Sequence, residues 1–200
     1  MKKLELSVLI ALVLTIALTS FTGFARRCED ISGKLLRLHV IANSDSDADQ
    51  GVKLMIRDKI LDECGTLLFN NPDKQDAKKT LSQNLEQIEA AANRLLAEKG
   101  FDYTAHASIE NKYFNTRKYD EVTLPAGNYD ALCVRLGKAQ GKNWWCVVFP
   151  PMCLPAACEE DELSEVLNGD ELRIVTDKGS YVVKFKLLEL YEELIGGKHQ

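Results

Sequence analysis

Hydrophobic positions follow a helical period through much of the first half of this chain and alternate strand-like through much of the second. The start is an apolar run, residues 6–18, behind Lys2 and Lys3. Residues 35–41 then read as a strand with Leu36, Leu38 and Val40 on one face and Arg37 and His39 on the other. Polar residues 42–49 lead into Val52, Ile56, Ile60, Cys64 and Leu67, the spacing of an amphipathic helix. Ser46 or Asp47 caps its first turn, where acidic side chains suit the helix dipole. Asn71-Pro72-Asp73 breaks the chain before a second helix with Leu81, Leu85, Ile88, Ala92 and Leu95 on one face, ending at Gly100.

Tyr103, Ala105, Ala107 and Ile109 alternate with Thr104, His106, Ser108 and Glu110, a strand pattern. Residues 122–124 form a short strand before the Pro125-Ala126-Gly127-Asn128 turn. Residues 129–136 and 143–149 flank the segment 137–142 and predict a hairpin. A second short hairpin is predicted from 172–176 and 180–185 around Asp177-Lys178-Gly179. A final helix over 186–195 has Leu187, Leu190, Tyr191 and Leu194 as its inner face. The whole predicts an α+β fold: two N-terminal amphipathic helices packed on a largely antiparallel sheet, with a C-terminal hairpin and helix.

The apolar run has the form of a secretory signal, shorter than the roughly 20 residues that cross a bilayer. Gly23-Phe24-Ala25 places small residues at a cleavage site, whereas extending the run through 19–24 makes an uncleaved anchor. Residues 1–25 are therefore a signal peptide or an anchor, and residues 26–200 one exported domain. That domain has 23 basic and 29 acidic residues, net −6, a balance that argues against nucleic acid as a partner.

Six cysteines in an exported chain point to disulfides. A symmetric 129–136/143–149 hairpin sets Cys133 opposite Cys146, while Cys146 with Cys153 locks the strand end to the segment beyond Pro150-Pro151. Spacing alone does not choose. The aromatic block Asn143-Trp144-Trp145-Cys146-Val147-Val148-Phe149 ends in that double proline, a rigid corner suited either to packing or to docking.

Asn43, Asp45, Asp47 and Asp49 resemble a calcium loop but lack the EF-hand glycine and glutamate, so helix capping is the reading preferred. His39 beside Arg37 reads as a structural imidazole. No serine-hydrolase elbow, zinc-protease helix motif, P-loop or dinucleotide glycine pattern occurs, and no cofactor or metal is implied.

Residues 36–46 with Asp49-Gln50, residues 53–61, the segment Leu124-Pro125-Ala126-Gly127-Asn128-Tyr129-Asp130-Ala131-Leu132, the block 143–153 and a weaker echo at 183–186 together resemble the stage II sporulation protein R family. Asn115 stands where that family often has proline, and Cys28, Cys64, Cys133 and Cys158 are additional to the family's pair. The resemblance implies a bridge between Cys146 and Cys153. It also implies a messenger, not an enzyme, secreted from the forespore into the space between forespore and mother cell, with membrane contact only through the signal segment. Its partner would be a membrane-embedded aspartic protease of the mother cell that processes pro-sigma E. The candidate partner-binding residues are Arg117, Tyr119 and Trp145, with Trp144 and Trp145 on opposite strand faces, one buried and one available. The competing reading is a secreted hydrolase using the acidic residues of the 43–49 loop.

Overall fold

A computed structural model describes residues 2–68, 71–119, 121–151, 163–177, 179 and 181–196. In chain order the elements are α1 (Lys2–Lys34), β1 (Leu36–Ile41), α2 (Asp47–Leu68), α3 (Lys74–Gln83), α4 (Leu85–Glu98), β2 (Ala105–Phe114), β3 (Arg117–Tyr119), β4 (Val122–Leu124), β5 (Gly127–Leu136), β6 (Asn143–Phe149), α5 (Gly169–Thr176) and α6 (Val182–Gly196). The fold is α+β. Its four-stranded sheet has the order β2-β5-β1-β6, and β3 and β4 form a separate two-stranded ribbon.

Alternation along β1 places Leu36, Leu38 and Val40 against α2, α3 and α4, together with Leu132, Val134, Cys146 and Val148 from its neighbours. Both faces of β1 are buried because it lies inside the sheet, parallel to β5 and antiparallel to β6. The hairpin expected between 129–136 and 143–149 is therefore not formed: β1 separates the two strands. Their connection crosses the end of β1, where Gly141 N–H donates to the Ala42 carbonyl (2.9 Å) and Gln140 N–H to that of Asn43 (3.2 Å). A β-carbon on Gly141 would lie 2.2 Å from the Ser44 carbonyl oxygen, so the crossing requires glycine there. Cys133 faces His39 across the β1–β5 pairing, while Cys146 faces Leu38 from β6. A Cys133–Cys146 bridge is excluded with the hairpin, and Cys133 is a free thiol.

The second predicted helix is divided. Asn84 donates its side-chain amide to the Thr80 carbonyl (2.8 Å), closing α3 before α4 begins. Asp73 caps α3, accepting from the N–H groups of Gln75 and Asp76. Lys74 and Lys78 reach Asp130 at 2.9 and 3.0 Å, tying α3 to β5.

The C-terminal hairpin is also replaced by helix. Asn168 and Glu171 form a capping box that starts α5 over residues expected to be strand. Glu171, 2% exposed, also pairs with Lys34 at 2.6 Å, fixing α5 to the end of α1. The other sheet face packs on Cys28, Ile31 and Leu35 around the end of α1, on the ribbon, and on α5 and α6. On α6 it is Phe185 and Leu188 that face this core. Leu187, Leu190 and Leu194, expected inside, face outward, and Tyr191, also expected inside, leans partly exposed on Phe21.

Candidate functional site

The odd positions of β1 put Arg37 and His39 on the sheet face opposite α2–α4, and the register sets His39 beside Trp145. The His39 and Trp145 rings stack at 3.6 Å between centroids, with an interplanar angle of 15°. Phe114, the last residue of β2, meets Trp145 edge-on at 4.9 Å and Tyr129 at 5.6 Å. Beneath it lies Arg37, 0% exposed, its guanidinium carbon 4.1 Å from the Phe114 ring centre and 5.0 Å from that of Tyr129. Arg37 donates to the Tyr119 hydroxyl, which holds the ribbon against the sheet. Arg117, two residues before Tyr119 on β3, has its guanidinium carbon 5.9 Å from the Trp145 ring centre.

These rings floor a cleft of about 550 Å³ whose lining includes His39, Asn111, Lys112, Arg117, Asn143 and Trp145 and contains no acidic residue. His39 is held neutral: burial pushes its pKa down to about 4, opposed by the bond to Asn143 and reinforced by the Lys112 charge. The Lys112 ammonium, 3.5 Å from Nδ1, can only donate, so Nδ1 accepts and Nε2–H donates to the Asn143 side-chain oxygen at 2.9 Å. At the cleft's margin Arg135 grips Glu110 with two bonds of 2.6 and 2.8 Å, and the Glu110 carboxyl falls to about 2 through that pairing. The result is a cationic, aromatic concavity of the kind that binds a partner group.

Of the three candidate partner-binding residues, Trp145 and Arg117 line this cleft, whereas Tyr119 is half-buried and acts as a strut through Arg37. Trp144 is on the other face, under the Arg57 guanidinium at 4.2 Å. Both tryptophans are half-buried; β6 is an edge strand, so neither becomes the fully buried ring expected of one of them. Lys112 and Phe114 lie on β2 beyond the alternating residues 103–110, and Asn143, at the start of the predicted 143–149 strand, joins them only through the cross-strand register.

The 43–49 loop is a structural hub. Asp49, 5% exposed, accepts from Ser44 (2.5 Å), Asn43 (3.0 Å) and Tyr103 (2.5 Å). Ser46 supplies the cap to the Asp49 N–H, and Asp45 accepts the Lys142 N–H at 2.7 Å. Asp49 and Asp45 are thus acceptors that join the loop to its neighbours, which gives the hydrolase reading no support. Among the described residues, no group of three or more histidine, cysteine, aspartate or glutamate side chains is placed to hold a metal ion.

The family model described as stage II sporulation protein R matches residues 32–159. The chain belongs to the stage II sporulation protein R family. It is 31% identical over 168 residues to stage II sporulation protein R of Bacillus subtilis (strain 168), covering 82% of this chain and 75% of that one. No solved structure matches. Every residue named around the cleft falls within the family span, whereas the apolar half of α1 and the whole of α5 and α6 fall outside it.

Proposed function

We propose that this protein is the exported messenger by which the forespore instructs the mother cell. It acts from the space between them, activating a membrane-embedded aspartic protease that removes the pro-sequence of pro-sigma E. Membership of the family is the observation that carries this reading. The cleft supports it chemically: exposed Arg117 and half-buried Trp145 are the side-chain types that dominate interface energetics, on a rigid sheet. To activate, the cleft must bind the active form of the protease more tightly than the inactive form, since equal affinity shifts nothing.

The N-terminal helix supports export with retention. Residues 3–34 are long and apolar enough to cross a membrane. Phe24, 4% exposed, packs on Tyr181 and Phe185 in the second core cluster, so cutting after Ala25 would remove a core side chain. We therefore read α1 as an anchor. Cys28, Cys64 and Cys133 are free thiols and Cys146 is not among them, which supports a bridge from Cys146 to Cys153; Cys153 lies outside the described residues.

The test is deletion of residues 6–18 in sporulating cells, with pro-sigma E processing and chain abundance followed together. The proposal expects processing to stop while the chain accumulates folded in the forespore; normal processing by the unexported chain would overturn it.

A further inference from the structure

The outward side of α6 carries Val183, Leu187, Leu190 and Leu194 at spacings of four, three and four residues, one continuous stripe along the helix. They are 70%, 49%, 53% and 78% exposed, and the opposite side of α6 already buries Phe185 and Leu188. A helix apolar on two sides has two surfaces to cover, and the domain covers one.

The position of α6 says what covers the other. Phe24 of α1 stacks on Tyr181 at 5.7 Å, and Phe21 meets Tyr191 edge-on at 5.7 Å. Three residues advance a helix by about 4.5 Å and ten by about 15 Å. Phe24 also packs on Phe185, so contacts three residues apart on α1 are six to ten residues apart along Tyr181 and α6, and α6 crosses α1 at the level of Phe21 and Phe24. This is where the apolar run ends: Leu4, Leu9, Leu14 and Leu18 stand exposed before it, and Ile31 and Leu35 are buried in the domain after it. Phe185 and Leu188 face Phe24 and the rest of the second core cluster, so the stripe points away from the domain, at the level where the apolar run of α1 ends.

We propose that α6 is an interfacial helix, lying flat on the phospholipid bilayer where α1 enters it, with Val183, Leu187, Leu190 and Leu194 sunk among the acyl chains. Such helices settle about 5–10 Å into the headgroup and acyl boundary. The exposed apolar surface of α1 and that of α6 then form one continuous lipid contact, hinged on Phe21 and Tyr191. The domain is held at a fixed height and tilt above the membrane instead of swinging on a single helix. This rests on α1 being retained in the membrane and is independent of which partner the cleft engages.

The experiment places one added tryptophan at a time in the full chain, reconstituted in vesicles of phosphatidylglycerol and chain-brominated phosphatidylcholine. The emission of Trp144 and Trp145 in the parent is subtracted. Leu12→Trp reports α1, Leu190→Trp the stripe, and Glu193→Trp the exposed polar flank of α6. Bromine should quench the added signal at least about twofold at residues 12 and 190 and leave that at 193 nearly unchanged, as expected for a helix half-sunk in the interface. Quenching at 12 without quenching at 190 overturns the proposal, and a doubled mass in mild detergent would then assign the stripe to a second copy of the chain. No quenching at 12 overturns the anchor on which it rests.

Discussion

Replacing Arg37 by methionine tests whether a buried cation is in the sheet for stability or for positioning. Arg37 is fully enclosed, and its Nε and Nη1 groups lack hydrogen-bond partners. Burial accordingly lowers its pKa. Two unmet donors cost about 1–3 kcal/mol each. Contacts to the Phe114, Tyr129 and Tyr119 rings return about 0.5–2 kcal/mol apiece, so charge and rings come close to cancelling. Methionine keeps most of the stem and drops the charge, and should change stability by no more than about 1 kcal/mol. Arg37→Ala leaves a cavity and should cost about 2–5 kcal/mol. What methionine cannot do is donate to the Tyr119 hydroxyl. Amide exchange in β3 and β4 should therefore accelerate in the methionine variant while the four-stranded sheet stays protected. Urea unfolding of both variants in mild detergent, with exchange read by mass spectrometry, decides the matter. If Arg37→Met is destabilised as severely as Arg37→Ala, the ring cage stabilises the cation outright and the cancellation is refuted.

Trp145→Ala should cost about 2 kcal/mol or more of partner binding with little loss of stability. Trp144→Ala, stripping a half-buried ring from the α2 side, should cost about 2 kcal/mol of stability, below the 3–5 of a fully buried ring; equal effects of the two on protease binding would remove the distinction between the faces. Gly141→Ala drives a β-carbon onto the Ser44 carbonyl, and melting of the variant should fall by several degrees; an unchanged melting temperature would show that the crossing segment is soft. Acid should act in two windows. Native His39 takes a proton only near pH 4, whereas the unfolded chain does so near ~6.5, so stability declines as pH falls between these values. Native Glu110 keeps its charge down to about pH 2, and its contribution is lost as pH falls from ~4.3 toward that value. His39→Gln should flatten the first decline and Glu110→Gln the second, read from unfolding midpoints across pH.

Local patterning conveyed much of this fold. The two faces of residues 36–41 and the helix from Val52 onward follow from spacing and side-chain chemistry within one turn or one strand, and so does a cap at Ser46 or Asp47, of which the structure selects Ser46. Strand order does not, because a six-residue connection suits both a hairpin and a short crossing over a third strand; the choice lies in the long-range pairing of β1 with β5 and β6, and the close approach of Gly141 to Ser44 is its local consequence. Residues 172–176 are β-branched enough to read as strand, yet the Asn168–Glu171 box and burial of Ile174 and Val175 select helix. On α6 the periodicity identified Leu187, Leu190 and Leu194 as one stripe but could not say that Phe185 and Leu188 take the inner side. The cleft was visible in pieces, Trp145 and Arg117 by type and His39 by its strand face. Their meeting depends on the His39–Trp145 register, a long-range fact.

The most direct measurement of the central claim is cleavage of pro-sigma E in a non-sporulating host that makes the mother-cell protease, its substrate and an exported form of this chain. The account predicts cleavage with the parent chain and loss of cleavage with the Arg117→Ala, Trp145→Ala double variant, while Arg57→Ala, on the opposite face, still triggers it. Cleavage by the double variant at parental level, with export and folding of all chains verified, would contradict the claim that this protein signals through the cleft lined by Arg117 and Trp145.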